Sequence, residues 1–388
     1  MPLLFLNRFY APDVSATAQL LTDLAEELAA RGEPVTVITS RLLYEDPAAR
    51  LPAREWRNGV RIRRVWTSRF GRAWLPGRAI DYATFYLSAT GALLAEARRG
   101  DGIVAMTDPP LLSVPAALVA RLRGARLVLW CQDLFPEIAA AHGLRFARGP
   151  LGRLLRALRD WSLRRAETVV AIHPTMARRL AALGVPEAKI RVIENWAPAG
   201  IRSVPHATNP LRREWGLEGR FVVAYSGNLG RVHDPAGVID LVRRTAGRGV
   251  TWLFIGGGAG MAELARVVEA EALPDVHFRP YQPRERLAES LSVADLHLVS
   301  LDPAFEGLVW PSKIYGIEAA GRPWIRLRPG LEVEDLREAA RRTPRPRTER
   351  PGLEAWAGLL GVSRKAPSMP RQASVGAGNA SRFFHRSS

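Results

Sequence analysis

The sequence predicts an α/β fold of two doubly wound units, each a parallel sheet covered by helices. Three observations favour this class. Short apolar runs alternate with segments of helical periodicity, which is typical of strand–helix–strand repeats. The alternation stops at a Pro- and Ala-rich stretch, residues 196–218, and then restarts. Hydrophobic residues make up 47% of the 388 residues and charged residues 24%, as in ordinary globular proteins.

The first unit is expected over residues 1–195. Apolar runs predict its strands and periodic segments predict its helices, and Gly184 is a suitable residue to end the last helix. The predicted strands are 3–6, 35–39, 103–106, 127–131, 168–172 and 190–193, and the predicted helices are 16–31, 114–122 and 175–183.

The second unit is expected over residues 219–325, after a linker at 196–218. The predicted strands are 221–226, 251–255, 276–278 and 296–300, and the predicted helices are 235–245, 261–272, 284–292 and 312–320. Ligands of such sheets bind beyond the carboxyl ends of the strands. Two Rossmann-like units that face each other therefore predict a binding cleft between them.

Residues 326–388 differ from the rest of the chain. They contain 13 Lys and Arg against 6 Asp and Glu, and stretches such as RRTPRPRTERPG show no strand pattern. We expect an atypical Arg/Pro-rich tail, which is either disordered or the product of a reading-frame shift after about Ile325.

Composition and missing motifs exclude several classes. The single cysteine, Cys131, excludes an internal disulfide framework. The N-terminal segment lacks the basic region and cleavage site of a signal peptide, and no run approaches the roughly 18 apolar residues of a membrane span. The seven histidines have no metal-ligand spacing, and D-x-D, G-x-S-x-G and P-loop motifs are absent. We expect a cytoplasmic protein without a metal site.

The strongest local motif is YSGNLGRVHD, residues 225–234, directly after the first strand of the second unit. A strand, a glycine turn and a helix bring free N–H groups and a positive dipole end to one point, which suits a phosphate. Arg231 would add a guanidinium fork. An ordinary turn with a surface arginine is the alternative interpretation.

A second motif is EGLVWPSKIYGIEAAGRP, residues 306–323. Lys313 is one of three lysines among 55 cationic residues, which hints that a compact charge is needed there, although chance explains it equally well. Glu306 and Glu318 would either accept hydrogen bonds from sugar hydroxyls or lie on the surface. The IGGG stretch at 255–258 lacks the last glycine of a dinucleotide fingerprint and predicts a tight turn.

Polar residues of the first unit also follow predicted strands. Asp133 and Glu137, in the segment DLFPE, lie where the catalytic groups of open α/β sheets are found. Asp133 as a capping or turn residue is the alternative. Ser15 and Thr17 lie where a loop enters the first helix and offer hydroxyls and free N–H groups, with helix capping as their alternative role.

Taken together, these segments resemble bacterial family 4 glycosyltransferases of the GT-B fold. Within that family, the chain is most similar to the branch that assembles surface polysaccharides such as O-antigen, capsule and colanic-acid-type polymers. The similar segments, in the expected order over roughly residues 1–325, are FYAPDVSATAQLLTDLAEELAARGEPVTVIT, DLFPE, VIENWAP, SGNLGRVHD, IGGG and PSKIYGIEAAGRP.

The resemblance implies transfer of a sugar from a nucleoside-diphosphate sugar to a lipid-linked saccharide acceptor, with retained configuration and without a metal or other cofactor. Arg231 and Lys313 would neutralise the diphosphate leaving group, a role that side chains and helix ends take in metal-free catalysis. Gly227 and Asn228 would let the turn approach the diphosphate.

The remaining site residues that the resemblance implies fall into two groups. Glu306, Glu318 and Asn195 would lie near the donor. Asp133 would contact the acceptor sugar or act as a base. The other acceptor-side loop residues would be Ser15, Thr17 and Glu137.

The sequence also departs from the family pattern. Many members carry two donor-site glutamates eight residues apart, but Ile314 stands eight residues after Glu306, and Ala236 stands where many members have a lysine. After GRPWI the family continues with a glycine loop, a strand and helices that pack onto the first domain. The tail here resembles none of these elements, so an inactive donor-binding relative is one alternative function.

The formal net charge of +17 suggests a nucleic-acid-binding protein as a second alternative, but no nucleic-acid-binding module is recognisable, and we expect no nucleic-acid partner. Two segments concentrate the charge. Residues 61–78 hold six arginines and no acid, next to aromatic residues that include Trp74. Residues 145–165 hold seven arginines and one acid, with Arg153 and Arg156 between leucines at helical spacing.

Basic helices with an apolar face suit an anionic membrane surface. We therefore expect peripheral binding to the inner face of the membrane through Trp74, Arg153 and Arg156. A helix that packs its apolar face on its own domain is the alternative.

Overall fold

The structure is a computed structural model that describes residues 1–46, 48–71, 74–230, 232–344 and 350–362. These residues form two units with parallel sheets, eight-stranded in the first unit and five-stranded in the second. The predicted α/β class and the repeated strand–helix pattern are confirmed.

The first sheet contains six of the predicted strands and a hairpin that the sequence did not predict. Its strands are β1 (Leu3–Leu6), β2 (Val35–Ser40), β3 (Arg54–Arg57), β4 (Val60–Val65), β5 (Gly102–Met106), β6 (Arg126–Cys131), β7 (Thr168–Ala171) and β8 (Ile190–Val192). The strand order is β3-β4-β2-β1-β5-β6-β7-β8, and β3–β4 is the antiparallel pair. This hairpin was not predicted because half of its ten residues are arginines, and Val60, Ile62 and Val65 are its only buried apolar residues.

Seven helices of the first unit cover both faces of this sheet. They are α1 (Ala16–Ala30), α2 (Leu75–Glu96), α3 (Ser113–Arg123), α4 (Glu137–Ala141), α5 (Arg145–Arg148), α6 (Pro150–Arg165) and α7 (Pro174–Ala182). The connections through α2, α3 and α6 run along the sheet in the direction opposite to the connection through α1. Right-handed crossovers therefore place these three helices on the face opposite α1, where α3 lies between α2 and α6.

The second sheet is parallel throughout. Its strands are β9 (Val222–Asn228), β10 (Thr251–Gly257), β11 (Val276–Arg279), β12 (Leu296–Val299) and β13 (Trp324–Arg326), in the order β11-β10-β9-β12-β13. Its helices are α8 (Pro210–Glu214), α9 (Pro235–Thr245), α10 (Ala259–Ala270), α11 (Leu287–Ser292), α12 (Lys313–Ala319) and α13 (Val333–Ala340). The alternating inward residues Trp252 and Phe254 of β10 are fully buried in its core.

The end of the chain differs from the expected unstructured tail. α13 packs Val333 and Leu336 into the second core. The last helix in the described residues, α14 (Pro351–Leu359), returns to the first unit, where Trp356 is fully buried with its ring 4.7 Å from Trp130. The expectation of a disordered tail from residue 326 is therefore wrong for 326–344 and 350–362, whereas a reading-frame shift stays a prediction. The rest of that predicted tail, 345–349 and 363–388, lies outside the described residues.

Each sheet has a point at which successive connections leave in opposite directions. In the first sheet this point lies between β1 and β5, and in the second between β9 and β12. Helices diverge there to opposite faces and leave a crevice at the carboxyl ends of the strands. The two units touch beside these crevices, where the Leu134 N–H donates to the Leu308 carbonyl at 3.0 Å.

Candidate active site

A cavity of about 580 Å³ lies between the units at the carboxyl ends of β9 and β12. Gly227, Asn228 and Lys313 line it from the second unit, and Gln19 of α1 lines it from the first. No carboxylate is present among the described residues that line this cavity. The cavity thus occupies the crevice that the topology predicts and favours an anionic ligand over a cationic one.

The two glycine turns of the second sheet interlock at the cavity edge. Gly227 has φ 110° and Gly258 has φ 109°, both in the region that glycine tolerates best. A Cβ atom at position 258 would overlap the Asn228 side chain, so only glycine fits there. The glycines of the IGGG turn therefore let it lie close to the Gly227–Asn228 turn. The Leu229 N–H donates a hydrogen bond to the Gly257 carbonyl at 2.9 Å.

Lys313 presents a buried amine at the cavity wall. Its Nζ is fully buried, has no hydrogen-bond partner among the described residues, and lies 3.6 Å from the centre of the Tyr225 ring. Burial disfavours the charged form and lowers the pKa of Lys313 to about 7. Lys313 begins α12 and Tyr225 lies on β9, so two adjacent elements of the second unit build this contact.

His233 completes the same wall. Its Nδ1 lies 2.6 Å from the Ser300 carbonyl oxygen and must therefore carry the hydrogen. Burial, and next the charge of Lys313, lower the pKa of His233 to about 4, so the ring is neutral near pH 7. Tyr225 and His233 were not predicted as site residues, although both lie inside the YSGNLGRVHD motif, because the prediction used only Gly227, Asn228 and Arg231. Arg231 itself lies outside the described residues.

The amino end of α9 is less free than the motif predicts. The Asp234 carboxylate caps the helix by accepting a hydrogen bond from the Gly237 N–H at 2.8 Å. This carboxylate satisfies one of the helix amides and opposes an anion at the same place. The cationic side chain of Lys313 is thus the stronger positive feature of the described wall.

The two glutamates predicted near the donor do not line the cavity. Glu306 forms an ion pair with Arg326 at 3.1 Å, and this hydrogen-bonded cation lowers the pKa of Glu306. Glu318 accepts a hydrogen bond from the Trp324 indole at 3.2 Å. Because Glu318 follows Lys313 by five residues at about 100° per residue, it projects from a different side of α12. A donor-site role for either glutamate stays a prediction.

Asp133 lies where the two units meet, outside the large cavity. It lines a small void of about 30 Å³ together with Cys131. Burial raises the pKa of Asp133 to about 6, while a hydrogen bond from Thr107 counteracts the rise. Its role toward an acceptor stays a prediction, and the structure places it beside the carboxyl ends of β5 and β6.

Asn195 and Glu137 have protein partners. Asn195 exchanges amide hydrogen bonds with Gln132, at 2.8 and 3.2 Å, and does not line the cavity. Glu137 accepts two hydrogen bonds from the buried Arg159, at 2.7 and 2.8 Å. Burial raises the pKa of Glu137, but the hydrogen bonds and charge of the Arg159 guanidinium outweigh burial and lower that pKa overall. Glu137 therefore fixes α4 to α6, and its acceptor-side role stays a prediction.

The amino end of α1 reaches the cleft. Ser15 occupies the cap position, but its hydroxyl makes no cap hydrogen bond, and instead the Asp13 carboxylate accepts the Ser15 N–H at 2.8 Å. Thr17 is half-buried in the first turn, and Gln19 lines the cavity. The alternative role of the Ser15 hydroxyl as a helix cap is therefore not found, and the acceptor-side roles of Ser15 and Thr17 stay predictions.

An aromatic stack joins the two units beside the cavity. The His173 and Trp310 rings lie 3.4 Å apart with a 10° angle between their planes. Trp310 lines the cavity, and His173 follows the carboxyl end of β7 by two residues. The sequence analysis missed both residues. The signal was available, because His173 follows a predicted strand and Trp310 directly precedes the PSK segment.

The first unit exposes an apolar surface on the side of α2, α3 and α6. We call it the leucine face, and its side chains are 37–76% exposed. It consists of Leu87 on α2, Leu118 and Leu122 on α3, and Leu151, Leu154 and Leu158 on α6. α6 leaves Leu151, Leu154 and Leu158 exposed, but it packs Leu163 and Trp161 on its own domain, so the alternative in which its apolar face packs there holds for only part of the helix.

The predicted basic segments are partly neutralised inside the fold. Arg61 and Arg63 both pair with Glu96, and Arg64 pairs with Glu55 at 2.6 Å. Trp74, at the amino end of α2, and Arg153, on α6, remain exposed. Arg156 is half-buried and donates to the Ala147 carbonyl at 2.9 Å.

The described residues contain neither a metal-ligand cluster nor a helix that could cross a membrane. No group of three or more His, Cys, Asp or Glu side chains is arranged there to hold a metal ion. None of the helices in the described ranges combines the length and the hydropathy that crossing a bilayer requires.

Comparison with known sequences agrees with this geometry. Residues 16–196 match the model of the glycosyl transferase 4-like domain. The putative colanic acid biosynthesis glycosyl transferase WcaI of Escherichia coli is 28% identical over 328 residues, which cover 80% of this chain and 79% of WcaI. The probable glycosyltransferase WbjE of Pseudomonas aeruginosa is 31% identical over 252 residues, which cover 63% of this chain and 62% of WbjE.

Comparison with solved structures confirms the predicted fold. HepE of Anabaena in complex with UDP has a TM-score of 0.64 at 15% identity and covers 93% of this chain and 100% of its own. Sucrose-phosphate synthase of Thermosynechococcus elongatus has a TM-score of 0.66 at 19% identity and covers 93% and 97%. WaaG, a glycosyltransferase of lipopolysaccharide biosynthesis, has a TM-score of 0.55 at 15% identity and covers 92% and 93%. With its cleft between two parallel-sheet units, the chain is a glycosyltransferase of the GT-B fold whose first unit carries the glycosyl transferase 4-like domain.

Proposed function

We propose that the chain transfers a sugar from a nucleoside-diphosphate sugar to a lipid-linked saccharide during the assembly of a surface polysaccharide. The reaction would retain the anomeric configuration and use no metal. The observation that carries this proposal is the cavity at the β9–β12 crevice, where a buried Lys313 amine lies next to the Gly227 turn and no carboxylate is present among the described lining residues.

The diphosphate of the donor would lie against Lys313 and the Gly227–Asn228 turn. Negative charge develops on the leaving diphosphate, and a positioned ammonium stabilises it more strongly in a buried site than in water. Lys313 would thus do what a metal ion does in other transferases, which supports a metal-independent reaction. Arg231, in the same YSGNLGRVHD motif, would add a second cation.

The names of the similar proteins support the proposed donor and acceptor of this chain. HepE binds UDP and UDP-glucose in solved structures, which supports a nucleotide-sugar donor here. WcaI is named for colanic acid biosynthesis and WaaG for lipopolysaccharide biosynthesis, which supports a saccharide acceptor from the synthesis of a surface polysaccharide. The retaining course is supported by the absence of a carboxylate base among the described residues of the cavity wall, since an inverting transfer needs a base opposite the leaving group.

The test is a donor panel. The purified protein is incubated with UDP-, GDP- and dTDP-sugars and a lipid-linked saccharide extract, and release of the nucleoside diphosphate and the configuration of the product are measured. We expect release from one donor class and at least about 30-fold slower release by Lys313→Met, since one lost charge contact in a buried site costs about 2 kcal/mol or more.

Lys189→Met is the matched control. Lys189 donates to the Arg164 and Ala166 carbonyls of the first unit, far from the cavity, so its loss should leave release within about twofold of wild type. Release from no donor would refute transferase activity and favour an inactive donor-binding relative. Release that requires an added divalent cation would refute metal independence.

We further propose that the leucine face docks on an anionic membrane and brings the cleft to its lipid-linked acceptor. Exposed leucines on three adjacent helices supply apolar contact, and the exposed Arg153 supplies attraction to anionic headgroups. Trp74 lies at the amino end of α2, where an amphipathic ring suits the interface of a bilayer.

Sedimentation with vesicles tests this docking. We expect binding to vesicles with anionic phosphatidylglycerol, weaker binding at high salt, and at least about fivefold weaker binding by Leu154→Asp. Val192→Asp, at an exposed apolar residue of β8 outside the leucine face, is the matched control and should bind as wild type does. Equal loss in both variants, or binding that ignores lipid charge and salt, would refute the docking surface.

A further inference from the structure

Lys313 holds a buried amine without a counter-charge. No carboxylate lies within 4 Å of its Nζ among the described residues, and the atom makes no hydrogen bond there. Its contact partner is instead the face of the Tyr225 ring at 3.6 Å. A desolvated ammonium above an aromatic face gains only about 2 kcal/mol, which is less than full hydration provides.

The groups that surround the amine are neutral near pH 7. His233, in the loop before α9, and His297, on β12, are buried, and burial lowers the pKa of each to about 4. Burial raises the pKa of the Tyr225 phenol on β9, and the pKa of Tyr281 at the cavity edge is also raised. Any charge that Lys313 carries is therefore unbalanced within the described wall.

We infer that binding of the donor diphosphate is coupled to the uptake of one proton by the Lys313 amine, with the Tyr225 ring as the platform that positions it. The inference rests on the proposed donor-binding function of the cleft. The proton comes from the buffer and forms the third N–H bond of the ammonium, which then donates to a diphosphate oxygen. Tyr225 is a positioning residue in this account, because it acts through Lys313.

Binding should take up a proton, not release one, because the amine is buried without a counter-charge in the free protein and lies next to an anion in the complex. In the free protein, burial holds the pKa of Lys313 near 7, so much of the amine is neutral above that pH. An anion within about 4–6 Å raises the pKa of a lysine by about 1–3 units. At pH 8 the free amine is about one-tenth protonated, and a rise of about 1–3 units makes the bound amine about one-half to fully protonated, so binding should take up about 0.4–0.9 proton. Affinity should fall about 2.5- to 8-fold per pH unit around pH 8.

Titration calorimetry at pH 8 measures this uptake directly. Binding enthalpies of UDP, GDP and dTDP are compared in HEPES and Tris, which differ in ionisation enthalpy, and the tightest ligand is analysed. At pH 8 the terminal phosphate, with a pKa near 6, is already ionised and takes no part. We expect uptake of about 0.4–0.9 proton by wild type and below about 0.2 by Lys313→Arg, because a guanidinium stays charged.

Three further variants test whether the Tyr225 ring positions the amine. Lys189→Arg is the matched control and should show the wild-type uptake. Tyr225→Phe keeps the ring and should change affinity less than about twofold, whereas Tyr225→Leu removes the platform and should weaken binding about three- to tenfold. Circular dichroism shows whether each variant is folded.

The outcomes distinguish the inference from the function on which it rests. Tight binding without proton uptake, or undiminished uptake in Lys313→Arg, would overturn the inference and leave the donor site intact. Failure of all three nucleoside diphosphates to bind would refute the proposed function first, and the inference with it.

Discussion

Trp356 anchors the last described helix to the first unit, and its removal should destabilise that unit by about 3 kcal/mol. A buried tryptophan removes about 150–250 Å² from water, which corresponds to roughly 4–6 kcal/mol at 25 cal/mol per Å². Those values are upper bounds, because unfolded chains are partly compact. Trp356 is fully buried, with its ring 4.7 Å from Trp130, but its indole N–H has no partner among the described residues. Removal of that unpaired buried donor relieves a desolvation penalty of about 1 kcal/mol or more, which reduces the net destabilisation.

The assay is urea unfolding of Trp356→Ala followed by far-UV circular dichroism. The midpoint should fall while the slope with urea stays the same, since the same surface unfolds. Trp56→Ala is the matched control, because Trp56 is 72% exposed on β3 and should change stability by less than about 0.5 kcal/mol. An equally small effect of Trp356→Ala would show that α14 does not belong to the first core.

Two other predictions concern buried ionisable groups. Arg159→Met should destabilise the first unit by about 3–5 kcal/mol, because it leaves the Glu137 carboxylate buried without its partner, and urea unfolding at pH 7 measures this loss. Between pH 7 and pH 5 the second unit should lose about 2 kcal/mol through His297, because its pKa is about 4 when folded and 6.5 when unfolded, so the unfolded chain binds the extra proton. His297→Gln should flatten that pH dependence of the unfolding free energy.

Each of these has its own contradicting result. Arg126→Met removes an exposed ion pair with Glu167 and should cost less than about 1 kcal/mol. If Arg159→Met costs no more than Arg126→Met, the Arg159–Glu137 pair does not hold α4 and α6 together. A pH dependence that is as steep in His297→Gln as in wild type would assign the acid loss to other groups.

Strand and helix positions were predictable where apolar residues repeat with the spacing of a strand or of a helix. The helix predicted at 235–245 is α9 with the same bounds, because its apolar positions repeat at helical spacing and Asp234 caps it. β3 and β4 escaped prediction because arginines alternate with their buried residues and form ion pairs with Glu96 and Glu55. Long-range pairing of this kind leaves no local hydrophobic signal.

The end of the chain shows how a charged stretch hides a packed helix. α14 is apolar, but it follows the RRTPRPRTERP segment, which dominates the composition of the region. Its burial depends on Trp130 and Trp196, which lie more than 150 residues earlier in the chain. Such contacts are fixed by the tertiary fold and cannot be read from a local window.

The candidate site was predictable in its motifs and less so in its partners. Gly227, Asn228 and Lys313 line the same cavity, and their role toward a diphosphate stays a prediction. Glu306 and Glu318 do not reach it, because Arg326 and Trp324 hold them elsewhere. Residue identity alone could not reveal these competing partners.

The central claim is that the β9–β12 crevice binds the diphosphate of the donor through Lys313. The most direct measurement is a crystal structure of the protein with the tightest-binding nucleoside diphosphate. The account predicts a diphosphate oxygen about 2.7–2.9 Å from Lys313 Nζ and next to the Gly227 turn. A nucleotide bound elsewhere, with the Lys313 amine still on Tyr225 and without an anion, would contradict it.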